Sequence, residues 1–120
     1  GGYGAETVEL YNTTLLNWIR QQHYTTQMTF SICTGAFILA EAGLLNGLSA
    51  TTHWMDLERL ETQYPHINVI KNVKFVDQDK ILTAAGISSG IHASLYIVAK
   101  VTTREIALNT AKRMEFEINF

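Results

Sequence analysis

Met28-Thr29-Phe30-Ser31-Ile32-Cys33-Thr34-Gly35-Ala36-Phe37-Ile38-Leu39-Ala40 is the stretch whose reading decides the fold. An apolar, β-prone run from Met28 to Ile32 drives into the chain's only cysteine, and a helical pattern starts directly after it. No residues are left over for a loop. Cys33 is therefore placed on a sharp strand-to-helix turn, with small residues two before it (Ser31) and two after it (Gly35). That is the pattern of a nucleophile elbow: a strained turn pushes the reactive atom outward, and close packing around it admits only small neighbours. A thiol there also faces the N–H groups that open the helix, which favour the thiolate. The competing reading is a small buried hydrophobe, the usual fate of a lone cysteine. One cysteine excludes an internal disulfide and fits a reducing compartment.

At 120 residues the chain is expected to be one domain or part of one, because domains run to about 100–150 residues. A hydrophobic content of 47% is enough for a real core and argues against a disordered segment. The net charge of −2, with no run of Lys or Arg, predicts no nucleic-acid partner and no anionic membrane surface. No apolar stretch approaches the roughly 20 residues of a membrane-spanning helix, and no signal-peptide pattern opens the chain. A cytoplasmic protein is expected. Four histidines and one cysteine at these spacings match no zinc pattern, so neither a metal nor another cofactor is predicted.

Working outward from the elbow, Val8, Tyr11, Leu15, Trp18 and Ile19 recur at helical spacing and predict a helix from about Thr7 to His23. The helix after Cys33 is expected to run from Thr34 to Leu45 and to end at Asn46-Gly47. Ala50-Thr51-Thr52 is short and β-prone, and Trp54, Leu57, Leu60 and Tyr64 form a further helical stripe stopped by Pro65. Strands are expected at Ile67–Ile70, Val73–Val76 and Ile81–Ala85, the last entered through the polar turn Asp77-Gln78-Asp79-Lys80. Gly86 opens a second strand-to-helix junction, with Ser88 or Ser89 as N-cap of a helix through Ala99. A capping box, Thr102-x-x-Glu105, starts the last helix. Alternating strands and helices predict an α/β fold with a mainly parallel sheet.

Ligands of such sheets bind beyond the carboxyl ends of the strands. The Gly1-Gly2-Tyr3-Gly4 loop, the Cys33 elbow and Thr52-His53 all fall at that edge. If Cys33 is a nucleophile, it needs donors for a developing oxyanion and a base or orienting partner. The Thr34 backbone N–H is one expected donor, and an N–H of the Gly1-Gly2 loop the other, since a residue without Cβ allows the backbone to approach closely. The alternative for these glycines is an ordinary tight turn. His53 is the candidate imidazole; its alternative is to cap the helix that starts at Trp54. His92 is expected to pack within a helix, and His23 and His66 to sit at surfaces or helix ends. Glu6, Asp56 and Glu58 read as solvated helix residues, which leaves no acid beside Cys33.

With these residues in place the chain resembles the ThiJ/PfpI family of the class I glutamine amidotransferase-like superfamily. The resemblance covers essentially all 120 residues. It rests on Gly1-Gly2-Tyr3-Gly4, on Ser31-Ile32-Cys33-Thr34-Gly35-Ala36, and on Ala42-Gly43-Leu44-Leu45-Asn46-Gly47. Ala50-Thr51-Thr52-His53-Trp54, the segment from Thr83 to Ile91, and Ala111-Lys112-Arg113-Met114-Glu115 complete it. It implies a flavodoxin-like three-layer α/β sandwich, a homodimer, and the elbow cysteine as reactive centre. It also implies that residues 1–120 are the C-terminal two-thirds of a longer domain, without its first strand-helix-strand segment and the acidic partner that segment carries.

Within the family, the protease-like branch has histidine after the cysteine, where this chain has Thr34. Cys-Thr-Gly and Thr-Thr-His-Trp are closer to isonitrile hydratase-like members, and equally to amidotransferase-like domains that precede AraC-type DNA-binding domains. The hydratase reading has Cys33 attack an isonitrile carbon, Thr34 position or polarise the adduct, and water addition give an N-substituted formamide. The regulator reading uses the same pocket to sense a small ligand. A third reading, protection against oxidative stress, cycles Cys33 through reversible oxidation. Relatives carry aspartate where this chain has His92.

Overall fold

The computed structural model describes residues 1–119. Its chain order is α1 (Tyr3–Thr7), α2 (Thr13–Thr25), β1 (Thr29–Ile32), α3 (Gly35–Glu41), β2 (Ser49–Ala50), α4 (Leu57–Gln63), β3 (Asn68–Val69), β4 (Phe75–Gln78), β5 (Ile81–Ala84), α5 (Ser88–Val101) and α6 (Arg104–Arg113). Short 3-10 turns at Glu9–Tyr11 and Trp54–Asp56 lead into α2 and α4.

β5 organises the rest. All four of its residues are buried, as expected of a strand covered on both faces. Because side chains alternate across a strand, Ile81 joins one core and Leu82 and Ala84 the other. The first core gathers Leu10, Phe37, Leu39, Leu45, Leu60 and Ile67 from the helices and turns before β4. The second sets Met28, Phe30 and Phe75 against Ala93, Tyr96 and Ile97 of α5. α6 packs on α5. Helices thus cover both faces of one sheet.

β1 pairs with β5 in parallel, placing Ser31 opposite Thr83 and Ile32 opposite Ala84. β4 pairs with β5 antiparallel across the Asp77–Lys80 turn, in which Asp79 takes φ 70°. β2 and β3 form a separate parallel pair. This pair is tied to the main sheet by side chains: Ser49 N–H donates to Gln78 Oε1 and Thr51 N–H to Thr83 Oγ1, at 3.0 and 2.9 Å.

Several boundaries differ from expectation. The single helix over Thr7–His23 is broken, because Asn12 leaves the helix and its side chain accepts the Leu15 N–H, capping α2. The new phase buries Leu10 and Leu16 and exposes Val8, Tyr11 and Trp18 of the expected stripe. α3 stops at Glu41 rather than Leu45. Gly43 takes φ 80°, and the Leu44 N–H reaches back to the Leu39 carbonyl, closing the helix in a Schellman turn. The cap of α6 is Thr103, which accepts the Ile106 N–H, while Thr102 finishes α5 by donating to the Val98 carbonyl. Neither Ser88 nor Ser89 caps α5; Ile87 occupies that position, with no side-chain cap. Among the described residues no helix is long and apolar enough to cross a membrane.

Candidate functional site

The β1–α3 junction is as tight as the sequence demands: strand ends at Ile32, helix begins at Gly35. Turning that sharply drives Cys33 to φ 58°, a left-handed conformation uncommon for a residue with a side chain. The surroundings hold it there. The Cys33 N–H is shared between the Ala84 and Ala85 carbonyls, both at 3.1 Å, which pins the end of β1 to the end of β5. The Cys33 carbonyl accepts the Thr52 hydroxyl at 2.7 Å. The side chain itself stays partly exposed.

The glycine loop lies against this turn. A Cβ on Gly1 would sit 2.8 Å from Cys33 Cβ and 2.8 Å from the Ile32 carbonyl oxygen, so only glycine allows this approach. Thr34, almost fully buried, clamps the loop: its Oγ1 accepts the Gly2 N–H at 2.9 Å and faces the Gly2 carbonyl at 3.2 Å. The Gly2 N–H, expected as an oxyanion donor, is thus turned onto the Thr34 hydroxyl. The Thr34 N–H has no backbone acceptor among the described residues. Gly1, Gly2, Cys33 and Thr34 are brought together as one cluster.

His53 lies to the side. Its ring lies against Gly86, where a Cβ would come within 2.2 Å of His53 Cδ2. Its Nδ1 accepts the Met55 N–H at 3.2 Å, so the capping alternative is realised. With Nδ1 accepting, the ring N–H is on Nε2; Asp56 Oδ2 lies 4.0 Å from Nδ1. No hydrogen bond joins His53 to Cys33 among the described residues. The two share a neighbourhood through Ala85 and Gly86: a cleft of about 370 Å³ is lined by His53, Trp54, Val73, Ala85, Gly86 and Ile87, with Ser88 and Ser89. Cys33 is absent from that lining and lies behind Ala85, whose carbonyl it bonds.

Several of the other titratable groups are engaged elsewhere. Arg59 holds Glu6 at 3.1 Å and Asp56 at 3.0 Å. His92 is buried under β4, with Lys74 Nζ 3.5 Å from its Nδ1 and the Phe75 ring 6.0 Å away. Burial and the Lys74 charge hold its pKa below 6.5. His23 ends α2 against Thr29 Oγ1 at 2.7 Å, its pKa lowered by burial and by Lys80. His66 is exposed. Two features escaped the sequence reading, the Thr52 hydroxyl and the φ 34° of Ile87; the doubled threonine before His53 was the only signal of the first.

The sequence pattern of the DJ-1/PfpI family matches residues 1–100. A transcriptional regulator of Pseudomonas aeruginosa, "HTH-type transcriptional regulator CdhR", is 29% identical over 110 residues, which are 92% of this chain and 32% of the regulator. An isonitrile hydratase of Pseudomonas putida is 30% identical over 106 residues, 88% of this chain and 43% of the hydratase. The chain therefore spans less than half of either relative. Among solved structures, a THiJ/PfpI family protein from Pseudomonas syringae superposes with a TM-score of 0.86 at 24% identity, covering 100% of this chain and 48% of that one. Drosophila melanogaster DJ-1beta gives 0.82 at 19%, covering 98% and 61%. These two show a shared fold, the flavodoxin-like α/β sandwich.

Proposed function

This chain belongs to the DJ-1/PfpI family, and from that premise we propose that it forms the reactive-cysteine part of a hydratase or hydrolase acting on a small electrophile. The carrying observation is Cys33 itself: a partly exposed thiol held at φ 58° by bonds from Thr52 and to Ala84 and Ala85. Backbone strain of this kind costs about 1–3 kcal/mol and persists where the surroundings over-determine it, often at functional sites. A buried structural cysteine needs no such turn.

In this reading the Cys33 thiolate attacks the electrophilic carbon, and the Thr34 N–H is the donor set beside the nucleophile. Thr34 Oγ1 keeps Gly1 and Gly2 pressed on the elbow, a positioning task, since that hydroxyl is already engaged. His53 presents Nε2–H over Gly86 at the edge of the cleft, where it can donate to substrate or product. The neighbouring cleft, which Cys33 does not itself line, has no Asp, Glu, Lys or Arg in its lining, so a substrate group reaching into it from the elbow would be neutral, as in an isonitrile. Attack on an isonitrile carbon followed by water addition and release of the thiol gives an N-substituted formamide. Similarity to the hydratase supports this substrate class.

The test is alkylation by iodoacetamide at neutral pH, followed by turnover of a simple alkyl isonitrile read as formamide by mass spectrometry. Fast labelling in the full protein, absent in Cys33→Ser, is expected. An inert thiol sinks the proposal.

A second reading has its own observation. Similarity extends to three transcriptional regulators, CdhR, GbdR of Pseudomonas aeruginosa and GlxA of Rhizobium meliloti. There the cleft beside His53 would bind a small effector and pass its occupancy to a DNA-binding module. Ligand-dependent melting without turnover, in a protein whose thiol is slow, distinguishes this case. A cytoplasmic homodimer is the assembly proposed for either reading, and sedimentation of the full protein tests it.

A further inference from the structure

The geometry points to Thr52 as a positioning residue that sets the Cys33–Thr34 peptide plane, and so aims the Thr34 N–H as oxyanion donor. The inference rests on the nucleophile reading of Cys33. In a trans peptide the carbonyl and the following N–H point in opposite directions, so fixing one fixes the other. The Cys33 carbonyl has two partners. One is the Ala36 N–H, the first bond of α3, long at 3.4 Å. The other is the Thr52 hydroxyl at 2.7 Å, the usual length of a good O–H···O bond. Thr52 is therefore the stronger restraint on a peptide whose preceding residue sits at φ 58° and has a left-handed well to leave.

Thr52 is itself immobilised. It is 1% exposed, and the Thr51 N–H just before it is tied to Thr83 Oγ1 on β5. The bond from Thr52 therefore relates the elbow to the central strand of the sheet, a rigid reference. Without that hydroxyl the 33–34 peptide keeps only the long bond to Ala36, and a rotated plane would turn the Thr34 N–H away from the reacting carbon's oxygen.

Two reagents separate this role from simple support of the fold. Acylation of Cys33 by 4-nitrophenyl acetate passes through a tetrahedral oxyanion. The thiolate sulfur bonds the carbonyl carbon, the π pair moves onto oxygen, and collapse expels 4-nitrophenolate to leave a thioester. Alkylation by iodoacetamide displaces iodide and forms no oxyanion. Thr52→Val keeps the side-chain shape and removes the donor; Thr52→Ser keeps the donor. Losing a fully effective oxyanion donor costs about 10²–10³-fold in rate. Misaiming one is expected to slow acylation of the full protein's Thr52→Val variant at least about tenfold, with alkylation within about twofold of wild type. Thr52→Ser should restore acylation.

If both reactions slow together, if neither slows, or if serine fails to rescue, Thr52 does not aim the donor and the inference falls while the nucleophile reading stands. A wild-type Cys33 inert to both reagents overturns the nucleophile reading first, and the inference with it.

Discussion

Two strand-to-helix junctions stand side by side at the carboxyl edge of the sheet, and they are built differently. At the first, β1 turns into α3 through Cys33 at φ 58°; at the second, β5 turns into α5 through Ile87 at φ 34°. The first is held from three directions: carbonyls of Ala84 and Ala85, the Thr52 hydroxyl, and the Gly1-Gly2 loop clamped by Thr34. The second is open. Ile87 has no side-chain capping bond and its β-branched side chain is 79% exposed; the turn is held by its own local bonds, such as Ser89 N–H to the Gly86 carbonyl, and by the Gly86–His53 contact. Left-handed strain at a β-branched residue is a genuine outlier. The comparison teaches that strain alone does not mark a nucleophile. What separates the junctions is the density of restraint around Cys33, against a bare apolar side chain at the rim of the cleft beside Ile87.

The largest expected effect breaks the comparison outright. Cys33→Ser should abolish thiol labelling and any turnover while leaving the melting temperature within a few degrees, since the side chains are nearly isosteric. Mass-spectrometric labelling beside a thermal melt checks it. A labelled variant would place the reactive group elsewhere.

Next comes the His53 contact at the second junction. Gly86→Val should push the His53 ring off the turn, because even a Cβ there meets Cδ2 at 2.2 Å. Overpacking of this kind costs about 1–3 kcal/mol, read by urea denaturation. Cys33 labelling should fall less than stability does, because the restraints on Cys33 come from Thr52, Ala84 and Ala85. Equal loss of both would mean that the junctions act as one unit.

A stabilising change sharpens the contrast. Ile87→Gly removes the side chain that makes φ 34° costly and should raise stability by about 1 kcal/mol, the low end of such strain. Unchanged or lower stability would show that Ile87 contributes a contact of its own.

The smallest effect concerns α5 behind the second junction. The folded-state pKa of His92 lies below its unfolded value of 6.5, held down by burial and then by Lys74. The unfolded chain therefore takes up a proton first as pH falls. Stability is full above pH 6.5 and declines below it, with a limiting slope of about 1.4 kcal/mol per pH unit for one group. His23 adds a slope of the same sign, its pKa lowered by burial and Lys80. His92→Asn should flatten the His92 share of the decline below pH 6.5. An unaltered curve would assign the whole slope to His23.

Much of this architecture was legible in the chain. The run into Cys33 with no spare residue forced the elbow, and Ile81–Ala85 was legible as a strand, although its burial on both faces emerges only from the packed sheet. Boundaries were less legible. Asn12 breaks the first helix although apolar spacing continues through it, because a side-chain cap competes with helix continuation on nearly equal terms. Thr102 and Thr103 are alternative caps one residue apart; the second caps α6, while the first closes α5 by donating to the Val98 carbonyl.

The candidate site divides in the same way. The sequence by itself determined that a thiol sits on a strained strand-to-helix turn, that glycines lie at the same sheet edge, and that no acid neighbours the cysteine along the chain. Those follow from local geometry and from the period of the apolar pattern. Only the tertiary structure decided that Thr34 Oγ1 holds the glycine loop, that His53 spends Nδ1 on its own turn, and that Thr52 reaches the Cys33 carbonyl. Each is one or two hydrogen bonds, and the clamp and the Thr52 bond span 32 and 19 residues. Such bonds are chosen once the sheet has set the distances, because one hydroxyl or imidazole has many local partners of similar energy and the packed strands leave it one.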